Sequence, residues 1–250
     1  MMINSVVGRN VLTQPNELQA LAAPPPASGK KAKKKPLSSW AEAFVQAMRV
    51  LEGPAADAAQ QAQRELNIAL AASAKPGAPR DALPITLRGL GYVLASTGQL
   101  SQAEVVYERA LAEARKRAED SDVSLGSWRD MAVVSREVGK HAASEQCWLS
   151  ALDVVKGRMG TSRADEAASL KGTGVDRWEV QTELLLCHAD ALCEQARLDQ
   201  SEALIREVLA RRESTHGAEH PTTLGAVYDL AHLQRVRHLA RALDAAGSSE

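Results

Sequence analysis

A few short clusters in this chain carry residue types that could do chemistry. Cys187-His188 precede Cys193, and His216 lies four residues before His220; thiols and imidazoles are zinc ligands. On a helix, however, positions 187 and 193 point about 240° apart, so the two thiols would not face one ion. No carboxylate-rich partner follows His216 and His220 at a zinc spacing. These residues read as structural, the cysteines as small core residues. Gly29-Lys30-Lys31 lacks the glycine frame and the following Ser or Thr of a phosphate loop, and Lys171-Gly-Thr-Gly174 has no strand before it. No Gly-x-Ser-x-Gly elbow occurs. The expectation is a protein with no catalytic residues, no metal and no cofactor.

The run Lys30, Lys31, Lys33, Lys34, Lys35 is the remaining cluster. It has the look of a nuclear localisation signal, and would also contact RNA or another polyanion through counter-ion release. It fits equally a solvated spacer or the end of an organelle transit peptide. No aromatic residues interleave the lysines, so base stacking has no support. Residues 1–39 hold six cations against Glu17 alone, whereas the whole chain has a net charge of -1, so a basic leader precedes a mildly acidic body. Three sparse cysteines do not make a disulfide framework, which favours a reducing, cytoplasmic setting. The organelle matrix and the nucleus are the alternatives. No run of 18 apolar residues exists to span a membrane.

The elements that would position any site are helices. Apolar residues are 45% of the 250, but aromatics only 3%, so the core must be built of Ala, Leu and Val. Ala and Leu are strong helix formers, and a β-sandwich would want aromatic and β-branched residues. Residues 1–37, with Pro24-Pro25-Pro26 and the lysines, read as a disordered leader containing at most a short helix within 16–23. Residues 38–79 read as a helical hairpin: Trp40, Phe44, Met48 and Leu51 recur at spacings of three and four, and Gly53-Pro54 breaks the pattern.

Beyond it the sequence repeats. Ala69-Leu70, Ala110-Leu111 and Ala151-Leu152 recur every 41 residues, and Val208-Leu209 follows after 57. Two helices per period of about 40 specify a solenoid of stacked hairpins. Small residues at Gly91, Ala103, Ala110, Ala132, Ala189, Ser201 and Ala231 allow close crossings, with Tyr107, Trp148 and Ile205 filling the space beside them. The segment from Leu90-Gly91 to Ala110-Leu111 resembles the tetratricopeptide repeat (TPR). The long period, and His220-Pro221-x-Thr223 at a helix entry, resemble the kinesin-light-chain class. The resemblance covers residues 80–246 and implies an all-α, right-handed superhelical solenoid of antiparallel hairpins. Its repeats are expected at 84–120, 125–157, 182–215 and 221–246, with an insertion at 157–175 and a tail at 247–250. The last repeat is truncated, and Leu230, Leu233, Leu239 and Leu243 remain apolar at an end that is expected to dock on something.

The resemblance also implies a use. In TPR arrays the first helix of each hairpin lines a concave surface, where peptide-binding members carry Asn. Here Asn occurs only at positions 4, 10, 16 and 67, so the usual peptide ladder is missing. Repeat register projects Arg88, Tyr92, Arg129, Val133, Arg136, Asp190, Cys193, Tyr228, His232 and Arg235 into the groove. Arg and Tyr are enriched at binding hot spots. The expected partner is another protein, acidic or helical, and the expected role a scaffold or adaptor. A transient assembly factor, or a nucleic-acid-associated factor using the lysine run, are the alternatives.

Overall fold

The computed structural model describes residues 18, 19, 22, 39–53, 57–116, 122–158 and 177–247. The described residues form helices joined by turns, with no strand among them. In order these are α1 (Ser39–Glu52), α2 (Ala58–Ser73), α3 (Ala82–Ser96), α4 (Leu100–Arg115), α5 (Asp122–Glu137), α6 (His141–Arg158), α7 (Arg177–Glu194), α8 (Leu198–His216) and α9 (Pro221–Gly247). The chain divides between Lys140 and His141 into two compact units.

In the first unit α1 and α2 pack together as a helical hairpin. Its core is Trp40, Phe44, Met48, Leu66 and Ala69, all buried. Trp40 stacks on Phe44 and its indole donates to the Thr86 hydroxyl at 2.7 Å, which ties α1 to α3. Gly89 of α3 lets that hairpin approach: a Cβ there would lie 2.9 Å from Leu66 and 3.1 Å from Phe44. Leu18 and Ala22, four apart on one helical face, are buried in the same core. These helical residues fall within 16–23, where the sequence allows a short helix. The lysine run and most of 157–175 lie outside the described residues.

α3 and α4 are an antiparallel pair joined through Gly98. Gly98 takes φ +79, and the Gln99 amide donates back to the Leu94 carbonyl at 2.9 Å, closing α3 with a Schellman turn. The same closure ends α5, where Gly139 has φ 84 and Lys140 donates to Ser135. It also ends α7, but with a side chain in place of glycine: Ala196 has φ 58, and Arg197 donates to Leu192. The Tyr107 ring of α4 packs against Gly91 of α3, where a Cβ would come within 2.6 Å of it. The small-residue row is thus the contact between the two helices of a hairpin, as the sequence predicts.

In the second unit α7 packs on α6, α8 on α7, and α9 on α8. The Ser201 hydroxyl donates to the Ala189 carbonyl at 2.8 Å, so Ala189 faces α8 as Gly91 faces α4. Arg212 of α8, buried, bonds Glu179 and Glu183 of α7 and the Thr222 carbonyl of α9. Arg237 of α9 pairs with Asp199 and Glu202 near the start of α8. α9 differs from the other first helices in length. It runs 27 residues without a turn, straight through His238, the position 42 residues beyond Ala196.

Candidate functional site

The projected groove residues fall into three register rows on the first helices, and these rows differ in fate. One contains Arg88, Arg129, Leu186 and Tyr228, at spacings of 41, 57 and 42. The second contains Tyr92, Val133, Asp190 and His232. The third contains Arg136, Cys193 and Arg235.

Packing covers much of the first row. The Arg88 side chain is 1% exposed, and its Nε donates to Asp130 of α5 at 2.7 Å. Gly126 makes the space: a Cβ there would overlap the Arg88 guanidinium. Burying a guanidinium is tolerable only with such a partner, so Arg88 holds α3 to α5 rather than meeting a ligand. Leu186 is likewise buried, and Arg129 is half-buried. Tyr228 is 52% exposed, but only because the face of α9 on which it lies is uncovered.

The other two rows are more accessible. In the first unit Tyr92 is half-buried and burial raises its phenol pKa, while Val133 is buried. Arg136 forms an ion pair with exposed Glu137 at 2.7 Å. In the second unit Asp190 and Cys193 are half-buried, and the thiol pKa is raised by burial and then by Asp190 and Glu194. A raised thiol pKa opposes the thiolate that a nucleophile or metal ligand requires. Further along, the His232 Nδ1 lies 3.2 Å from the exposed Arg235 guanidinium.

Sequence reasoning missed two buried polar clusters. The Tyr107 phenol has its pKa raised well above 10.0, first by burial and then by Asp130. His188 sits 3.5 Å from Glu145, which also pairs with Arg197 at 2.5 Å. Burial lowers the His188 pKa from 6.5, against the opposing pull of Glu145. Arg88, Tyr107 and His188 all stand at core positions of the 3.6 period, and that was the available signal. His216 and His220 stack at 4.7 Å between ring centroids, with His216 3.9 Å from Glu179. Among the described residues no three His, Cys, Asp or Glu side chains converge as a metal site. The cleft lined by Trp178, Glu179, Thr182, Arg211, Arg212 and His216 has about 20 Å³ of room, space for a water. Arg211 stacks over Trp178 at 4.9 Å beside it.

Residues 189–222 match the family model of the tetratricopeptide repeat. No curated protein matches the chain. Among solved structures, the nearly identical TPR-like repeats of a putative kinesin light chain from Podosopora anserina align with a TM-score of 0.63 at 16% identity, over 84% of this chain and 92% of that one. A single-substitution form of the same repeats aligns at 0.61 and 17%, over 85% and 98%. BtubC (BKLC) from P. vanneervenii aligns at 0.55 and 16%, over 84% and 81%.

Proposed function

We propose that this chain, a tetratricopeptide-repeat protein with the fold of kinesin-light-chain TPR-like repeats, serves as a non-enzymatic scaffold or adaptor in a multiprotein assembly. The repeats support protein binding in general; the adaptor role is the finer reading. One observation carries it: hairpin packing buries Arg88 and Leu186 but leaves polar side chains at least partly exposed in the neighbouring rows, Tyr92 and Arg136 in one unit and Asp190, His232 and Arg235 in the other. An exposed Arg235 and the partly exposed Tyr92 and Arg136 suit recognition of a protein surface with complementary acids. A reducing compartment such as the cytoplasm fits three cysteines that form no disulfide.

The test is affinity purification from the native source with mass spectrometry, comparing the parent chain with an Arg136→Glu variant. Stoichiometric, salt-resistant partners that the variant loses support the scaffold. Substoichiometric partners point to a transient assembly factor instead. Capture unchanged by the charge reversal removes these rows as the binding surface.

A further inference from the structure

The face of α9 that the rest of the fold would cover is open. In α7 the equivalent face is Thr182, Leu185, Leu186 and Ala189, every one buried, and Ser201 of α8 bonds the Ala189 carbonyl directly. Shifting by 42 residues gives Leu224, Val227, Tyr228 and Ala231. These are all exposed, Leu224 at 53% and Val227 at 43%. The opposite face of α9 is well packed: Ala226, Asp229 and Leu233 are buried against α8. The open stripe continues along the helix through Arg235, His238 and Leu239, each exposed, within about 120° of arc at 100° per residue. Because α9 has no turn at His238, the chain runs on past the place where α3 and α7 fold back to cover themselves.

We propose that this stripe seats one amphipathic helix of another protein, with acidic side chains near its start, in the place that a second hairpin helix would take. The proposal rests on the reading of the chain as a protein-binding repeat array, and names a surface and a partner chemistry for it. Three features fix the occupant. First, the molecule supplies the template. Its own second helices present Ala103, Ser144 and Ser201 in one row and Tyr107, Trp148 and Ile205 four residues later, all buried. A small residue opposite Ala231 and a bulky one beside Tyr228 would complete the same pattern. Second, the hairpins run antiparallel, so the start of the incoming helix lies beside the later part of the α9 stripe. That part carries Arg235 and His238, and Arg235 wants a carboxylate. Third, a second copy of this chain does not supply one. The acids of α9 are Asp229, buried against α8, and Asp244, about 180° around the helix from Arg235, so in an antiparallel pair of copies each Arg235 would meet the acid-free start of the other α9.

The probe is a fluorescein-labelled peptide of the α8 sequence, Leu198–His216, which has the small-then-bulky row and carries Asp199 and Glu202 in its first turns. Its anisotropy is measured against the full-length chain and an Ala231→Arg variant, whose fold is checked by circular dichroism. Exposed Ala231 contributes nothing to the core, so the variant folds. The expected result is saturable binding that weakens about tenfold or more both in the variant and when Asp199 and Glu202 of the peptide become lysines. Equal binding to parent and variant, equal binding of the acidic and lysine peptides, or no saturable binding would each overturn the proposal. So would a dimer of the parent chain, seen by sedimentation and lost in Ala231→Arg, which would make a second copy the occupant. If native partners are kept by Ala231→Arg but lost by Arg136→Glu, this surface fails while the scaffold reading stands.

Discussion

A guanidinium held under a helix, as Arg88 is, obliges its neighbours to compensate. Asp130→Ala removes the carboxylate that accepts from the Arg88 Nε, at an expected cost of about 3–5 kcal/mol. Urea unfolding followed by far-ultraviolet circular dichroism measures it. Replacing both partners with hydrophobic residues of similar volume should cost much less, because no buried charge is then stranded. Two further buried groups make stability depend on pH in opposite directions. The pKa of His188 is lowered in the fold, so as the pH falls below about 6.5 the unfolded chain takes up a proton that the folded chain refuses. Stability present above that pH is lost on acidification, and His188→Gln should flatten the acid limb of a thermal-melting profile. The pKa of Tyr107 is raised, so its contribution is intact below pH 10 and fades above it. Tyr107→Phe should flatten the alkaline limb.

At the scale of elements, the hairpins were legible because their determinants are local. The recurrence of small residues and the turn glycines at 98 and 139 report short-range packing and backbone needs, which a single sequence displays directly. Gly91→Ala tests the closest of these contacts. The new Cβ would lie 2.6 Å from the Tyr107 ring, and a destabilisation of about 1–3 kcal/mol is expected in the same urea assay. What could not be read was which row each helix buries. Arg88 looked like a surface residue because arginines usually are; its partner lies 42 residues away on another element, and periodicity carries no information about that pairing. The misplacement of Tyr228 has the opposite cause. It stands at a core register position whose covering helix is absent among the described residues. Arg212 shows how such elements are joined, because one side chain bonds both α7 and α9. Arg212→Ala should therefore speed amide exchange in the first turns of α9 more than in α8 itself, as read by hydrogen exchange with mass spectrometry.

For the molecule as a whole, the helices within each unit are supported chiefly by their sequence neighbours, so stability varies along each unit instead of being pooled in one core. α3 is packed by helices on several sides, whereas α9 is packed on one. Hydrogen exchange should reveal a gradient within each unit, with α9 opening at lower free energy than α7; uniform protection of the two would contradict that picture. An acidic helix seated on α9 would raise its protection selectively, which links the docking surface to an observable that does not depend on knowing the partner.

The left-handed turn at Ala196 carries a different consequence. Where α3 and α5 close on glycine, α7 closes on a residue whose Cβ crowds the backbone at φ 58, a conformation costing about 1 kcal/mol for a side-chain-bearing residue. The fold therefore holds a small reserve of stability that one substitution would release. Ala196→Gly is expected to raise the melting temperature by a few degrees, making this turn a starting point for engineering a hardier array.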